Sequence, residues 1–191
     1  MIRKLTENAT LITNYDEVDP IVEKYRAQQK RIVLTQGSFD MIHIGHGRYC
    51  QEAKQHGDVL FVGVDSDQKI RTRKGPDRPV VPQEERMEML SYLRSVDHVV
   101  LKELGKPKWE LIRRIKPDVL IATAQTYSEA QIKELQKYCG KVVVLEPMAT
   151  TSTSAKIRLV QLGAVNKIGS TLSDKLIATI ENVLSELKEQ K

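Results

Sequence analysis

The 191-residue sequence lacks the long apolar stretches that mark membrane and secreted proteins. It has no run of 18 or more apolar residues, and no stretch near Met1 resembles a signal peptide. It has only two cysteines, Cys50 and Cys139, which lie far apart and form no Cys-x-x-Cys pair. We therefore expect a soluble, cytoplasmic protein with reduced thiols.

The sequence also lacks a block of charge of one sign. Its 30 basic and 25 acidic residues give a net charge of +5 and a pI near 9.1, and the two signs are interspersed. This balance suits anionic small molecules and makes nucleic-acid binding by charge alone a weak hypothesis. With 40% hydrophobic residues, the length fits one globular domain with a sizeable core and room for an appended element.

Apolar runs and helical patterns alternate along the chain. Five strands are predicted, at residues 32–34, 58–64, 97–101, 118–122 and 141–145. Helical patterns occupy residues 15–29, 45–56, 83–94, 108–115 and 128–138. The alternation predicts an α/β protein with a doubly wound, five-stranded parallel sheet of Rossmann-like type, whose ligand binds at the carboxyl ends of the strands.

The most informative stretch follows the first predicted strand, where GSFD occupies residues 37–40 and HIGH occupies residues 43–46 at the start of a helix. A strand, a glycine turn and a helix start bring backbone N–H groups and the positive end of the helix dipole to one point, which favours phosphate. His43 and His46 share one face of the first helical turn, so both rings can bind one oxyanion. Gly45 adds no side chain that would keep a nucleotide away.

Simpler interpretations of these residues stay open. A histidine in a turn is often a surface or capping residue, and His-x-x-His also occurs in zinc sites. The zinc interpretation is the weaker one, because neither cysteine is close in sequence and no third ligand is obvious. For Asp40, a role in stabilising the turn alone is as good a hypothesis as a functional role.

Two loops carry further candidate groups. Residues 71–82 (RTRKGPDRPVVP) combine four basic side chains with three prolines, so a loop is predicted there, either functional or simply solvated. Residues 146–158 form a hydroxyl-rich stretch that runs into a helix and places O–H and N–H groups at a second positive helix end. The alternative for this second stretch is an ordinary N-cap cluster.

The motifs together resemble a known superfamily. GSFDMIHIGH resembles the G-[ST]-F-D-x-x-H-x-G-H signature of the nucleotidyltransferases, which include the cytidylyltransferases and adenylyltransferases. STSAKIR at residues 152–158 resembles the late motif with which these enzymes hold nucleotide phosphates. Residues 17–160 look like the adenylyltransferase domain of heptose-1-phosphate adenylyltransferases, and glycerol-3-phosphate cytidylyltransferase is a more distant match. One departure is TAQTY at residues 123–127, where the heptose enzymes have a Gly-Gly-Asp-Tyr-type loop.

The resemblance implies transfer of a nucleoside monophosphate, from ATP in preference to CTP, to a phosphorylated small molecule such as heptose 1-phosphate. Catalysis is assigned to His43 and His46, and Mg²⁺ is expected to be held by the substrate phosphates without a protein metal site. The remaining implied roles are nucleotide binding by Gly37, Ser38, Phe39, Gly45, Arg86, Ser152, Thr153 and Ser154, and binding of the acceptor phosphate by Arg73 and Lys74.

Two other functional classes fit less well. A nucleotide-binding sensor without turnover would explain the altered loop at residues 123–127, but both histidines and the Ser-Thr-Ser run are intact. An NAD-binding oxidoreductase would need a G-x-G-x-x-G after the first strand, and the sequence has none there.

The C-terminal part lies outside the usual extent of the family. Residues 1–162 are predicted as the nucleotidyltransferase domain, residues 163–169 as a linker and residues 171–188 as an amphipathic helix. Its apolar stripe consists of Leu172, Leu176, Ile177, Ile180, Val183, Leu184 and Leu187. The helix either folds back onto its own subunit or pairs with a second copy in a homodimer, and the sequence leaves both open.

Overall fold

The computed structural model describes residues 9–123, 126–146 and 148, and individual positions between 157 and 180. The chain divides into two compact units, Met1–Thr150 and Thr151–Lys191. None of the helices in the described part of the chain has both the length and the apolar character needed to cross a lipid bilayer.

The first unit is built on one parallel sheet with the strand order β1-β4-β3-β2-β5-β6. Its strands are β1 (Thr10–Ile12), β2 (Ile32–Gly37), β3 (Val59–Asp65), β4 (His98–Lys102), β5 (Val119–Thr123) and β6 (Lys141–Leu145). The predicted α/β class and parallel sheet are confirmed, but the described residues of this unit form six strands and not five. The strand missed by the sequence, β1, has only three residues, too few for an alternating pattern to show.

Helices cover both faces of the sheet. They are α1 (Val18–Ala27), α2 (Ile44–Lys54), α3 (Asp67–Lys74), α4 (Gln83–Ser91), α5 (Glu110–Ile115) and α6 (Glu129–Leu135). One hydrophobic core lies between the sheet and helices α2 and α4, and the other between the sheet and helices α1, α5 and α6. This two-sided covering explains why all seven residues of β3 are buried.

The predicted loop at residues 71–82 begins later than expected, because its first four residues complete α3. Only Ile70 of this helix is buried, so its sequence carries no apolar periodicity. Ser66 caps the helix through its side chain, which accepts a hydrogen bond from the Lys69 backbone N–H.

In the second unit, every described residue between positions 157 and 180 is helical. The predicted C-terminal helix is thus present over its described residues, 171–173 and 175–180. The predicted linker at residues 163–169 is instead helical at its described positions, which are Gly163, Val165, Lys167 and Ile168. Whether a domain boundary lies at residue 162 stays a prediction.

Candidate active site

The connection between β2 and α2 is a tight, packed turn. Phe39 and Met41 have φ angles of +49° and +50°, in the left-handed region that residues other than glycine rarely adopt. Gly37 lies in close contact with the buried Phe39 ring, because a Cβ there would lie 3.2 Å from Cε2 of Phe39 and the ring would have to shift slightly. The same ring lies 5.6 Å from the ring of His46, measured between centroids. The turn therefore fixes where α2 begins and how His46 is presented.

His43 and His46 cap α2 reciprocally. The Nδ1 atom of His43 accepts a hydrogen bond from the Gly45 backbone N–H at 3.1 Å, and the Nδ1 atom of His46 accepts one from the His43 backbone N–H at 3.2 Å. The two ring centroids are 4.1 Å apart. Because each Nδ1 is an acceptor, a neutral ring carries its proton on Nε2. The backbone thus selects the same tautomer for both rings and makes both Nε2 atoms donors.

Capping is therefore part of what the histidines do, as one of the simpler interpretations held. It concerns their Nδ1 atoms and fixes the orientation of the rings. Gly45 is buried in the first turn of the helix, and its backbone N–H is bonded to the His43 ring.

Two cations from the last turn of α3 reach the same connection. Arg73 donates through Nη2 to the Ser38 hydroxyl at 3.0 Å, and Lys74 donates through Nζ to the same oxygen at 3.1 Å. Burial, together with the nearby Arg73 and Arg78, lowers the pKa of Lys74 below its ordinary value. Two cations that converge on one neutral hydroxyl create a place where an anion is strongly favoured.

Asp40 anchors the loop that follows α3. Its carboxylate is 3% exposed and accepts hydrogen bonds from the backbone N–H groups of Val80 and Val81 at 3.1 and 3.0 Å. Arg78 adds a bond from Nε at 2.8 Å and an ion pair at 2.6 Å. Burial alone would raise the pKa of Asp40, but these partners outweigh it and hold the pKa below its ordinary value. Asp40 acts here as a structural clamp, which is the turn-stabilising alternative.

Arg86, predicted as a nucleotide-binding residue, lies beneath the turn and is 1% exposed. Its Nε donates to the Val81 carbonyl at 2.9 Å, and its Nη2 donates to the Asp65 carbonyl at 2.9 Å and to Asp67 Oδ1 at 2.7 Å. Its Nη1 donates to the Ser38 carbonyl. These bonds join the turn to the end of β3 and to the clamped loop. Direct contact with a nucleotide stays a prediction, and this burial makes it unfavourable.

Residues 34–172, which include the turn, both histidines and the cation pair, match the family model described as cytidylyltransferase-like. This chain belongs to the cytidylyltransferase-like family. The resemblance predicted from the sequence is thereby confirmed.

Individual relatives support this family membership. A protein from Nitratiruptor sp. named bifunctional protein HldE is 37% identical over 148 residues, which is 77% of this chain and 32% of the relative. A protein of the same name from Sulfurimonas denitrificans is 39% identical over 158 residues, which is 82% of this chain and 33% of the relative. The chain spans about a third of the length of these relatives.

Among solved structures, a lipopolysaccharide core biosynthesis protein from Thermoplasma volcanium is similar, with a TM-score of 0.56 and 28% identity. The match covers 62% of this chain and 98% of that one.

Sequence reasoning missed a charged cluster beside the turn of this cytidylyltransferase-like chain. Asp65 ends β3 and Lys102 ends β4, and their side chains form an ion pair at 3.0 Å. Arg73 and Lys69 lie 3.1 and 3.8 Å from the same carboxylate. The available signal was a charged residue directly after each buried apolar strand, at the edge where parallel α/β sheets bind ligands.

Other predicted site residues lie outside the described part of the chain. Ser152, Thr153 and Ser154 belong to this group, and their binding of nucleotide phosphates stays a prediction. Within residues 9–123 and 126–146, no three His, Cys, Asp or Glu side chains converge as a metal site would require. The carboxylates nearest the turn, Asp40 and Asp65, are bound to basic side chains.

Proposed function

We propose that this chain is a nucleotidyltransferase that moves the adenylyl group of ATP to a sugar phosphate resembling heptose 1-phosphate and releases pyrophosphate. The observation that carries the proposal is the reciprocal cap, which makes Nε2 of both His43 and His46 a donor at the positive end of α2. Family membership supports the reaction type. The sequence resemblance to heptose-1-phosphate adenylyltransferases supports the nucleotide and the acceptor.

In the proposed reaction, an oxygen of the acceptor phosphate attacks the α-phosphorus of ATP in line. The bond from that phosphorus to the bridging α–β oxygen breaks, and the electron pair leaves with pyrophosphate. No protein nucleophile is needed, so the protein contributes positioning and stabilisation of charge. Nε2–H of His43 and of His46 donates to the nucleotide phosphates and to the charge that develops on the leaving group.

The neighbouring groups complete the proposed site. The backbone of Gly37, Ser38 and Phe39 lines the turn, and Gly45 lets the nucleotide approach the helix start closely. Arg73 and Lys74 bind the acceptor phosphate, whose oxygens replace the Ser38 hydroxyl as their acceptor. From the sequence resemblance alone, the Ser-Thr-Ser run at residues 152–154, which lies outside the described residues, is assigned to the β- and γ-phosphates.

Mg²⁺ belongs to the proposal as an ion that would be held by the nucleotide phosphates and would neutralise part of their charge. The carboxylates at the turn are occupied by basic side chains, so the ion is assigned to the substrate and water. The proposed roles of the histidines do not require a protein side chain that coordinates this ion.

Pyrophosphate release tests this proposal. We expect release when the protein is mixed with ATP, Mg²⁺ and heptose 1-phosphate, and slower release with CTP. His43→Ala and His46→Ala should each lower turnover by about a hundredfold or more, because a transition-state donor is lost. His56→Ala is the matched control, since His56 lies beyond the other end of α2, and it should retain turnover.

The outcomes separate the alternatives. Near-normal turnover in both histidine variants would contradict their assignment. A strong preference for CTP would change the nucleotide and favour a glycerol-3-phosphate-type reaction. Nucleotide binding without pyrophosphate release, with either triphosphate and either acceptor, would indicate a sensor.

A further inference from the structure

β3 and β4 end on a charged pair that lies in register. Asp65 and Lys102 are direct partners in the parallel ladder, so their side chains leave the same face of the sheet at its carboxyl edge. The Lys102 Nζ lies 3.0 Å from Asp65 Oδ1, and the two side chains are 15% and 2% exposed. Placing an ion pair at such a depth stabilises a fold little, because desolvation offsets much of the attraction.

The cluster around this pair carries more positive charge than it needs. Three cations, namely Lys102, Arg73 and Lys69, lie within 4 Å of Asp65, so among these four side chains the positive charges outnumber the carboxylate three to one. Burial alone would raise the pKa of Asp65, but the three cations outweigh burial and lower it. Burial lowers the pKa of Lys102, and Lys69 and Arg73 lower it further against the pull of Asp65. Such an excess of positive charge does not stabilise the fold, but it favours binding of an anionic ligand.

Packing holds the Lys102 ammonium at this place. A Cβ at Gly63 would lie 2.8 Å from Cδ of Lys102 and 3.1 Å from Cγ of Gln36. The aliphatic part of Lys102 therefore packs against β3 at Gly63, where a larger residue would clash with it. A lysine on an open surface would extend its ammonium into water, but this one is kept beside Asp65.

Arg73 connects this cluster to the turn. Its Nη2 donates both to Asp65 Oδ2 at 3.1 Å and to the Ser38 hydroxyl at 3.0 Å. Lys102 and Arg73 thus bind opposite oxygens of one carboxylate, and Arg73 also faces the place assigned to the acceptor phosphate. Arg73 is half exposed, so the cluster opens toward that place.

We propose that Lys102 is an acceptor-binding residue whose ammonium, together with Arg73, donates to the phosphate of the acceptor, and that Asp65 is the positioning residue that holds both cations. The proposal rests on the proposed function, because it places the acceptor beside the same turn. It differs from a purely structural ion pair in that loss of Lys102 changes binding of one substrate and not of the other.

The chain offers a matched control at the other end of the sheet. Lys54, in the last turn of α2, pairs with Asp97, which precedes β4 and also accepts a hydrogen bond from the Leu60 backbone N–H. This pair has one cation for one carboxylate and lies at the amino ends of the strands. Removing the Lys54–Asp97 pair therefore shows the effect of losing an ion pair that has only a structural role.

The experiment compares Lys102→Met with Lys54→Met by steady-state kinetics and by calorimetric titration with heptose 1-phosphate or glycerol 3-phosphate. Lys102→Met should raise KM for the acceptor about tenfold or more, as expected for a lost hydrogen bond to a charged group, and leave KM for ATP within about twofold. Lys102→Arg should recover part of the acceptor affinity. Lys54→Met should lower the melting temperature and leave both KM values unchanged.

An unchanged acceptor KM in a folded Lys102→Met protein would overturn the inference. If that variant does not fold, Lys102→Gln carries the same comparison. Should the wild-type protein release no pyrophosphate, the proposed function fails, and calorimetry still decides about Lys102. Weaker acceptor binding by the variant supports its role, whereas equal binding, or no binding of either phosphorylated compound to the wild type, overturns it.

Discussion

His98 shows how the surroundings of one residue separate it from the histidines at the turn. Its ring is stacked on Phe61 with centroids 4.5 Å apart, and its Nε2 lies 3.1 Å from the Tyr25 hydroxyl. Its Nδ1 is buried without a hydrogen-bond partner among the described residues. Where His43 and His46 have rings oriented by the backbone at a helix end, His98 is a core residue that must stay neutral.

This burial predicts a pH dependence of stability. Burial lowers the pKa of His98 from 6.5 to about 4, Asp97 opposes the shift, and Lys54 and Lys24 add to it. Between these two values the unfolded chain binds the proton and the folded chain does not, so the free energy of unfolding falls as pH drops from 6.5 toward 4. The full effect is about 3 kcal/mol, from the size of the shift.

Urea denaturation at about pH 7.5 and about pH 5 measures this loss. His98→Gln cannot titrate and should lose most of the pH dependence, although it is less stable than wild type at the higher pH. If the variant kept the same pH dependence as wild type, another group would be responsible.

β3 and α3 show what the sequence could and could not predict about the elements. β3 was predicted at residues 58–64 and lies at Val59–Asp65, because a continuous apolar run between turn residues is a strong local signal. The end of α3 was predicted as a loop, because a helix with one buried residue leaves no periodic pattern. The apolar pattern of the sequence therefore identified the elements that bury a face, but it missed the end of α3, which is mostly exposed.

The same limit applies to the site. His43 and His46 were predictable because the helix start and their spacing are local features of the sequence. The partners of Asp40 were not, since Arg78, Val80 and Val81 lie far along the chain and meet it only after folding. Arg86 was assigned to the nucleotide through the family resemblance, whereas its burial depends on tertiary packing, which the sequence does not show.

At the level of the loop, Asp40→Asn tests the clamp. The substitution removes the charge that faces Arg78 and weakens the bonds from the backbone N–H groups of Val80 and Val81. We expect faster amide hydrogen exchange at both residues and a loss of about 1–3 kcal/mol in the free energy of unfolding. Asp77→Asn is the matched control, because Asp77 is an exposed carboxylate of the same loop. Equal exchange rates in the two variants would show that Asp40 does not hold the loop.

Over the whole first unit, the groups assigned to function gather at one edge of the sheet. Gly37 ends β2, Asp65 ends β3 and Lys102 ends β4, and these three strands are neighbours. Parallel sheets with helices on both faces leave this edge to ligands, because the helices start there and point their N–H groups toward it. The strand order thus brings together residues that are separated by dozens of positions in the sequence.

The second unit presents an apolar stripe along its described helical residues. Leu172, Leu176, Ile177 and Ile180 are helical, and between 51% and 64% of each residue is exposed. Exposed apolar stripes of this kind mark surfaces that another element or another chain covers. The dimer hypothesis assigns this stripe to a second copy of the same helix.

Deleting residues 170–191 and measuring mass by light scattering tests that hypothesis. We expect the full chain to be a dimer and the truncated chain to be a folded monomer, because the paired stripes are gone while the sheet and the histidine cap remain. Leu176→Asp should also yield monomers, since a buried charge opposes the pairing of apolar faces, whereas Ala178→Asp, on the opposite face of the same helix, should not. A truncated chain that stays dimeric would show that the main contact lies elsewhere. A full chain that is already monomeric, and whose melting temperature falls on truncation, would show that the helix folds back onto its own subunit.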